Sequence, residues 1–211
     1  MNHISLVSFA LRCRDAILTR VWNVFGHGLL RIKGVEAAKS VKMYGLPIIS
    51  RAENSIISVG AHVVLCSHSR FTALGVVRPV VIRTLRPQAR IRIGENAGIS
   101  GSVICAAKSV DIGADCLLGS GVQITDTDFH ALRAPGRRFN NDPQQIESAP
   151  VVIEDNVFLG SGVMVLKGVR IGRNTVVGAG SVVTRSLPAD VIAAGVPARV
   201  LKPLPAAEPA T

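Results

Sequence analysis

The chain has 211 residues, 48% of them hydrophobic and only 4% aromatic, and it carries a formal net charge of +10. This aliphatic content excludes a low-complexity disordered chain, and no charge-free apolar run reaches the roughly 18 residues of a membrane-spanning helix. The 46 Val and Ile residues and 20 Gly predict a narrow interior built from many short strands.

The first 33 residues predict an amphipathic segment of one or two helices. Its apolar residues follow roughly helical spacing, namely Ile4, Val7, Leu11, Leu18, Trp22, Phe25 and Leu29. No small-residue cleavage site follows the apolar start, so a secretory signal is not indicated. Basic residues, among them Arg12 and Arg31, flank the segment. It is therefore expected either to pack on the protein or a neighbouring subunit, or to contact the cytoplasmic membrane surface.

Residues 34–188 predict a β-helix, because an aliphatic residue recurs at every sixth position. The clearest run is Ile153, Leu159, Val165, Ile171, Val177 and Val183. Three residues after each of these stands Gly, Asn or, once, Ser; Gly and Asn tolerate left-handed backbone angles. One aliphatic residue per short strand would point inward and stack on its counterparts in neighbouring coils.

Two segments interrupt the period and predict loop insertions, at about residues 66–87 and 125–150. Insertions in a stack of coils usually lie outside it and carry function. The spacing from Ile99 to Ile112 exceeds two hexamers by one residue, which predicts a slip near residues 105–111. Residues 189–211 are expected to form a closing segment and a tail.

The cysteines show no C-x-x-C spacing, so they predict neither a zinc site nor a redox motif. They are Cys13, Cys66, Cys105 and Cys116. We interpret all four as small buried hydrophobic side chains of a cytoplasmic protein.

Hexamers of the form aliphatic-Gly-x-x-small-x resemble those of the hexapeptide-repeat acyltransferases. Within that family, Ala149–Gly160 is similar to the return from a loop into the helix. The segments Gly178–Thr184 and Ala194–Val200 resemble the closing signature of the maltose and galactoside O-acetyltransferase branch. Thr125–His130 resembles a loop of acyltransferases that act in surface-polysaccharide synthesis. The resemblance implies a left-handed parallel β-helix, a homotrimer with sites between subunits, and acetyl-CoA as acyl donor without a metal.

Acyl transfer from a thioester to a hydroxyl needs a base, an oxyanion donor and a coenzyme A site. The resemblance places the base in the second insertion, where His130 is the only histidine. Asp128 and Asp126 are close enough in sequence to orient its ring or contact substrate. An alignment shifted by three residues would instead place Thr127 at the base position.

The resemblance also implies coenzyme A residues at Ser161, Ala179, Thr184, Arg185 and Arg199, with the Ser161 N–H as oxyanion donor. Small corner residues would let the pantetheine arm lie against backbone, which adds Gly160, and cations suit its phosphates, which adds Lys202. Every coil needs small corner residues, so packing alone would also explain Gly160, Ser161 and Ala179.

The other histidines carry weaker expectations. His62 is expected at a corner, and His68, in the first insertion, could contact an acceptor. His3 and His27 are expected on the surface. A metal site from His62, His68 and His130 would resemble the γ-class carbonic anhydrases, but the spacing does not match and no metal is predicted.

The aromatic residues are dispersed in the sequence, which argues against a nucleic-acid-binding stripe. The charge suits anionic coenzyme A, a glycan precursor or a lipid surface. The predicted function is O-acetylation of a sugar hydroxyl in exopolysaccharide, capsule or lipopolysaccharide synthesis. The alternatives are a nucleotide-sugar N-acyltransferase and a catalytically inactive hexapeptide-repeat scaffold.

Overall fold

The computed structural model describes residues 3–140 and 142–205, with side chains from residue 8 onward. One helix, α1 (His3–Ile32), precedes twenty short strands, and three single 3₁₀ turns lie at Ser69–Phe71, Arg137–Phe139 and Pro143–Gln145. In chain order the strands are β1 (Glu36–Ala37), β2 (Lys42–Tyr44), β3 (Ile48–Ser50), β4 (Ile56–Val59), β5 (Val64–Cys66), β6 (Val81–Thr84), β7 (Arg90–Ile93), β8 (Gly98–Ser100), β9 (Val103–Ala106), β10 (Ser109–Ile112), β11 (Leu117–Leu118), β12 (Gln123–Thr125), β13 (Val151–Ile153), β14 (Phe158–Leu159), β15 (Met164–Val165), β16 (Arg170–Ile171), β17 (Val176–Val177), β18 (Val182–Val183), β19 (Val191–Gly195) and β20 (Ala198–Pro203).

The strands form three sheets, to which each coil contributes one strand apiece. Face A has the order β1-β4-β7-β10-β13-β16, and face C contains β3, β6, β9, β12, β15 and β18. Face B runs β2-β5-β8-β11-β14-β17 and is extended by β19 and β20. Neighbouring strands are parallel except for the last pair, in which β20 returns antiparallel to β19. The result is a parallel β-helix of six coils with a closing hairpin.

The core is a column of aliphatic side chains inside the three faces. On face A, Ile93 pairs in register with Ile112, Ile112 with Ile153, and Ile153 with Ile171. These four side chains, like the rest of the predicted six-residue run, are buried. Because adjacent strands lie about 4.8 Å apart, each one contacts the equivalent residue above and below. The predicted six-residue period is confirmed.

The corners turn through left-handed backbone positions, as the Gly and Asn spacing predicts. Asn156, Gly162, Gly168, Asn174 and Gly180 all have positive φ angles, whereas Ser186 does not. The glycine directly after the aliphatic residue is required for a different reason, which is the lack of space for a side chain. A Cβ on Gly160 would lie 2.6 Å from the backbone N of Ala179 in the next coil, so only glycine permits that close approach.

Two details of the stack differ from the sequence-based expectation. The first insertion covers only residues 67–80, because Val81–Thr84 forms β6 and pairs with β3 and β9. The irregularity near residues 105–111 begins earlier than predicted. The inward residues Ile99 and Ile104 are five positions apart, one fewer than the period, and Ile104 and Ile112 are eight positions apart, two more than the period. The two deviations add up to the one extra residue.

The α1 helix is a single helix that packs on the β-helix through the buried Leu30 and through polar side chains. The amide of Asn23 receives the Met43 N–H at Oδ1 (3.0 Å) and donates from Nδ2 to the Met43 carbonyl (3.1 Å). The ring of His27, expected on the surface, lies 3.1 Å from the Val41 carbonyl, and the residue is half-buried. Nowhere in the described residues does a helix combine the length and hydrophobicity that a membrane crossing requires.

The outer face of α1 carries several exposed apolar residues. Ile17 is 62% exposed and Val24 69% exposed. Phe25 and Leu11, expected on the packed stripe, are exposed as well, whereas Leu18, Trp22 and Leu29 are half-buried. The sequence predicted the wrong packing side for part of α1. Hydrogen bonds between the side chains of Asn23 and His27 and the backbone of the β-helix determine which side packs. The expectations for His3, for the side chains of Ile4 and Val7, and for residues 206–211 lie outside the described part.

The expectation of a buried side chain was wrong for Cys13, which is exposed on α1, although Cys66, Cys105 and Cys116 are buried as predicted.

Three aromatic residues that are far apart in the sequence come together in the fold. Trp22, Tyr44 and Phe71 form one cluster with His68, in which the rings of Trp22 and His68 have centroids 5.1 Å apart and those of Tyr44 and Phe71 4.9 Å apart. The cluster joins α1 to the first insertion.

Candidate active site

The second insertion leaves the stack where face C turns into face A, which we call the His130 edge. Its two arms pair at the base, where the Asp128 N–H donates to the Glu147 carbonyl (3.1 Å) and the Ala149 N–H to the Asp126 carbonyl (2.9 Å). A tight turn follows, in which the His130 N–H donates to the Asp128 carbonyl (2.7 Å) and Phe129 has a φ of +62°. This turn presents His130 to solvent as an exposed residue.

Asp126 has a different role from the one predicted. Its carboxylate is buried and accepts the backbone N–H groups of Ala107 and Lys108, each at 2.6 Å. Burial raises the pKa of this carboxyl, and the backbone N–H donors partly offset that rise. Asp126 therefore fixes the first residue of the insertion to the coil before it. Both carboxylate oxygens face that backbone and not His130, which Asp126 was predicted to orient.

The carboxylate of Asp128 is also hydrogen-bonded to a residue other than His130. The ammonium of Lys167 donates to both of its carboxylate oxygens (2.8 and 2.7 Å) and lies 3.2 Å from the Glu147 carboxylate. Hydrogen bonding to Asp128, and secondarily to Glu147, raises the pKa of Lys167. Lys167 thus ties both arms of the insertion to the next coil. Asp128 was likewise predicted to orient His130 or contact substrate, and the structure places its carboxylate on Lys167.

Lys167 was missed by sequence reasoning. Leu166 stands where Gly160, Gly172 and Gly178 follow the inward residue of their hexamers, but Glu154 and Thr184 depart from that pattern as well. The absence of glycine therefore does not single out Lys167, whose role becomes visible only when the fold brings it to Asp128 and Glu147.

The geometry distinguishes between His130 and Thr127 as candidates for the general base. Thr127 is buried, and its hydroxyl accepts a hydrogen bond from the Ser148 hydroxyl (2.9 Å). A packed hydroxyl of this kind holds the two arms together and is no general base. His130, whose ring is exposed on the turn, is the residue of this loop that can meet a substrate.

A second group of predicted residues lies where face B turns into face C, which we call the Ser161 edge. The Ser161 hydroxyl donates to the Ser120 carbonyl (2.7 Å), and the Gly180 N–H donates to the Ser161 carbonyl (2.8 Å). Gly160 packs directly on the backbone of Ala179. Within the described chain no carbonyl accepts the Ser161 N–H, so this donor can meet a ligand.

The remaining predicted coenzyme A residues fall in two other places. Thr184 and Arg185 are exposed at the His130 edge, one coil beyond Lys167. Arg199 and Lys202 are exposed on β20, where they pair with Ala194 and Ile192 of β19. His130 and Ser161 stand at opposite edges of face C, so one chain does not bring these two together.

The other histidines are placed as follows. His62 sits at a corner with a φ of +58°, as predicted. The Nδ1 atom of His68 accepts the Arg70 N–H (3.3 Å), and its ring belongs to the aromatic cluster. Across the described residues, no three His, Cys, Asp or Glu side chains converge as metal ligands would.

The repeat and the fold agree with known families. Residues 150–185 match the family described as bacterial transferase hexapeptide (six repeats), and residues 90–126 match the hexapeptide repeat of succinyl-transferase. The predicted resemblance to hexapeptide-repeat transferases and the predicted left-handed parallel β-helix are thereby confirmed.

Named relatives resemble parts or most of this chain. It is 42% identical over 103 residues to the putative lipopolysaccharide biosynthesis O-acetyl transferase WbbJ of Escherichia coli K12, covering 47% of this chain and 53% of that protein. A galactoside acetyltransferase solved with coenzyme A is 30% identical with a TM-score of 0.50, over 74% of this chain and 65% of that one. The hexapeptide-repeat acetyltransferase of Vibrio cholerae O1 biovar eltor solved with acetyl coenzyme A is 25% identical with a TM-score of 0.54, over 97% and 93%. The chain spans about half the length of the curated relatives it matches.

The role of Asp126 can be tested by its effect on stability. Replacing Asp126 with Ala should lower the free energy of unfolding by about 2–3 kcal/mol, because buried backbone N–H groups lose their acceptor. The control Asp111→Ala removes an exposed partner of Arg92 and should cost less than about 1 kcal/mol. Urea unfolding measures both. Equal losses would refute the tethering role.

Proposed function

We propose that this protein transfers the acetyl group of acetyl-CoA to a sugar hydroxyl. The observation that carries the proposal is the exposed His130 on a turn held by Asp126 and Lys167. The resemblance to a lipopolysaccharide O-acetyl transferase and to structures containing coenzyme A or acetyl coenzyme A supports the same chemistry. We place the acceptor in surface-polysaccharide synthesis on the strength of the first of these relatives.

In the proposed reaction, His130 removes the proton of the acceptor hydroxyl as the oxygen attacks the thioester carbonyl. The resulting tetrahedral oxyanion accepts a hydrogen bond from the Ser161 N–H. Collapse of this intermediate breaks the carbon–sulfur bond, and the proton held by His130 passes to the departing thiolate. The products are the acetyl ester and free coenzyme A, with no covalent enzyme intermediate.

The coenzyme A residues fit the shape and charge of that donor. The corner at Gly160 and Ala179 offers backbone without bulky side chains, which suits a pantetheine arm. The exposed side chains of Arg185, Arg199 and Lys202 can meet the phosphates of the nucleotide end. We propose these residues, together with Thr184, as the donor site.

We propose a homotrimer, because the site needs both edges of face C. The outward side chains of faces B and C include Leu117, Phe158 and Met164, all large, apolar and exposed. Face A instead presents charged residues such as Arg92 and Arg170, paired with Asp111 and Glu154. Packing faces B and C against neighbours would bury the apolar surface and bring His130 of one subunit to Ser161 of the next.

We also propose that α1 rests on an anionic membrane surface. Its outer face combines the exposed apolar residues Ile17 and Val24 with exposed Arg12, Arg20 and Arg31. An apolar face rimmed by arginines is typical of helices that lie in the membrane interface. Lipid-linked sugars are held at such a surface, which would place the enzyme beside its acceptor.

The role of His130 predicts a specific kinetic change. His130→Ala should lower kcat about 10²–10⁴-fold, with the KM for acetyl-CoA nearly unchanged because His130 is not a donor-binding residue. The matched control His62→Asn keeps a residue that tolerates positive φ at a corner and should retain full activity. Thiol release from acetyl-CoA with a panel of sugars gives both values.

Three outcomes of that assay would count against the proposal. Full activity of His130→Ala would remove His130 from the mechanism. Turnover with amino sugars alone would indicate an N-acyltransferase. No turnover with any acceptor, together with no binding of coenzyme A, would indicate an inactive scaffold.

The trimer predicts different effects of the same substitution on two faces. Met164 on face C and Ile56 on face A are 39% and 40% exposed. Met164→Glu should dissociate the trimer and abolish activity, because burying an unpaired carboxylate is costly. Ile56→Glu should leave both unchanged. Light scattering after size exclusion measures the mass; a wild-type monomer with full activity would refute the assembly.

The membrane contact predicts loss of vesicle binding when the outer face of α1 becomes charged. The double variant Ile17→Glu, Val24→Glu should no longer co-sediment with vesicles containing phosphatidylglycerol. The control Leu74→Glu, Val77→Glu changes two exposed apolar residues of the first insertion and should bind as the wild type does. Equal sedimentation of all three proteins would contradict the proposal. So would a change in oligomer mass of the α1 variant alone, which would assign this face to a neighbouring subunit.

A further inference from the structure

Basic residues repeat along the His130 edge, one in almost every coil. Arg86 follows β6, Lys108 follows β9, Lys167 follows β15 and Arg185 follows β18. The coil between Lys108 and Lys167 carries the second insertion with His130. The edge therefore has cations on both sides of the proposed base, and of these four only Arg185 belongs to the proposed donor site.

The cations on the N-terminal side line a cavity. It has a volume of about 430 Å³ and lies between the returning arm of the insertion and the coil corners. Arg86, Lys108 and Lys167 line it together with Gln144, Glu147 and Ser148. The arm that forms one wall also pairs with Asp128 through the Glu147 carbonyl, and Asp128 is two residues from His130 along the chain.

The charges of this cavity are not balanced. Lys167 is neutralised by Asp128 and Glu147, and Glu147 is the only carboxylate among the lining residues. Arg86 and Lys108 take part in none of the ion pairs found among the described residues. Two unpaired cations facing one cavity favour an anion with more than one negative charge.

We propose that this cavity binds a phosphate or diphosphate group of the acceptor, with Arg86 and Lys108 as its ligands. The proposal rests on the proposed function in calling the ligand the acceptor. Adjacent coils are about 4.8 Å apart, so Lys108 lies one coil and Arg86 two coils from the coil that carries the insertion. A diphosphate seated there would place the attached sugar toward His130, on the opposite side from the donor.

The test is calorimetric titration of the full chain with inorganic pyrophosphate. Arg86→Gln with Lys108→Gln should weaken binding about tenfold, since each lost charge contact contributes a few-fold. The control Lys39→Gln, Lys42→Gln removes two exposed cations elsewhere and should change affinity less than twofold. Saturating coenzyme A should not displace pyrophosphate.

The outcomes separate this proposal from the proposed function, because binding needs no turnover. Absence of pyrophosphate binding, equal affinity of the Arg86 and Lys108 variant, or displacement by coenzyme A would each overturn it. Competition by UDP would identify a nucleoside diphosphate acceptor, and competition by geranyl diphosphate a lipid-linked one; both support the proposal. Matching circular dichroism melting curves establish that the double variant is folded.

In the active enzyme, the same variant should raise the KM for a sugar phosphate about tenfold and leave the KM for acetyl-CoA unchanged. A merely structural effect of the two substitutions would change both values.

Discussion

The register of one coil on the next is the constraint on which the rest of the structure depends. Each inward aliphatic side chain contacts its equivalents above and below, as Ile112 does between Ile93 and Ile153. A shift by one residue would turn an outward side chain into the core. The corners must therefore have fixed lengths, and the glycine at Gly160 leaves space for the backbone of the coil beneath it. Stacking of this kind holds the small corner residues in line and leaves the Ser161 N–H without a carbonyl acceptor within the described chain.

The two ends of an insertion in such a stack must be held together without a shift in the register of the coils. The second insertion achieves this with buried polar contacts at its base, where Asp126 receives two backbone N–H groups and Thr127 pairs with Ser148. Burying a carboxylate is costly unless its hydrogen bonds are satisfied, and here the coil before the insertion supplies them. Lys167 adds a second anchor from the coil after it. Between these anchors the turn with His130 can be exposed and still have a defined position.

The sequence predicts the parts of the structure that repeat and misses those that occur once. The aliphatic and glycine positions from Ile153 to Val183 were predicted because each is required in every coil. The surroundings of Asp126 and Asp128 were missed because proximity in sequence to His130 says nothing about direction, and the donors of their hydrogen bonds lie 18 to 39 residues away. The packing side of α1 was partly mispredicted because its polar side chains form hydrogen bonds with backbone groups at the edge strand β2. Helical periodicity cannot reveal such a contact. Phe25 is exposed for that reason, although its spacing is typical of a packed residue.

The charge of the chain has a spatial order that composition alone cannot show. On face A, Arg92 and Arg170 are paired with Asp111 and Glu154, so these cations are balanced locally. The excess lies instead on α1, on β20 and along the His130 edge, where Arg86 and Lys108 have no carboxylate partner among the described residues. A field of one sign in a cleft attracts anions and raises their local concentration. In the proposed reaction two ligands meet at His130, and cations on both sides of that histidine suit a donor and an acceptor that are both anionic.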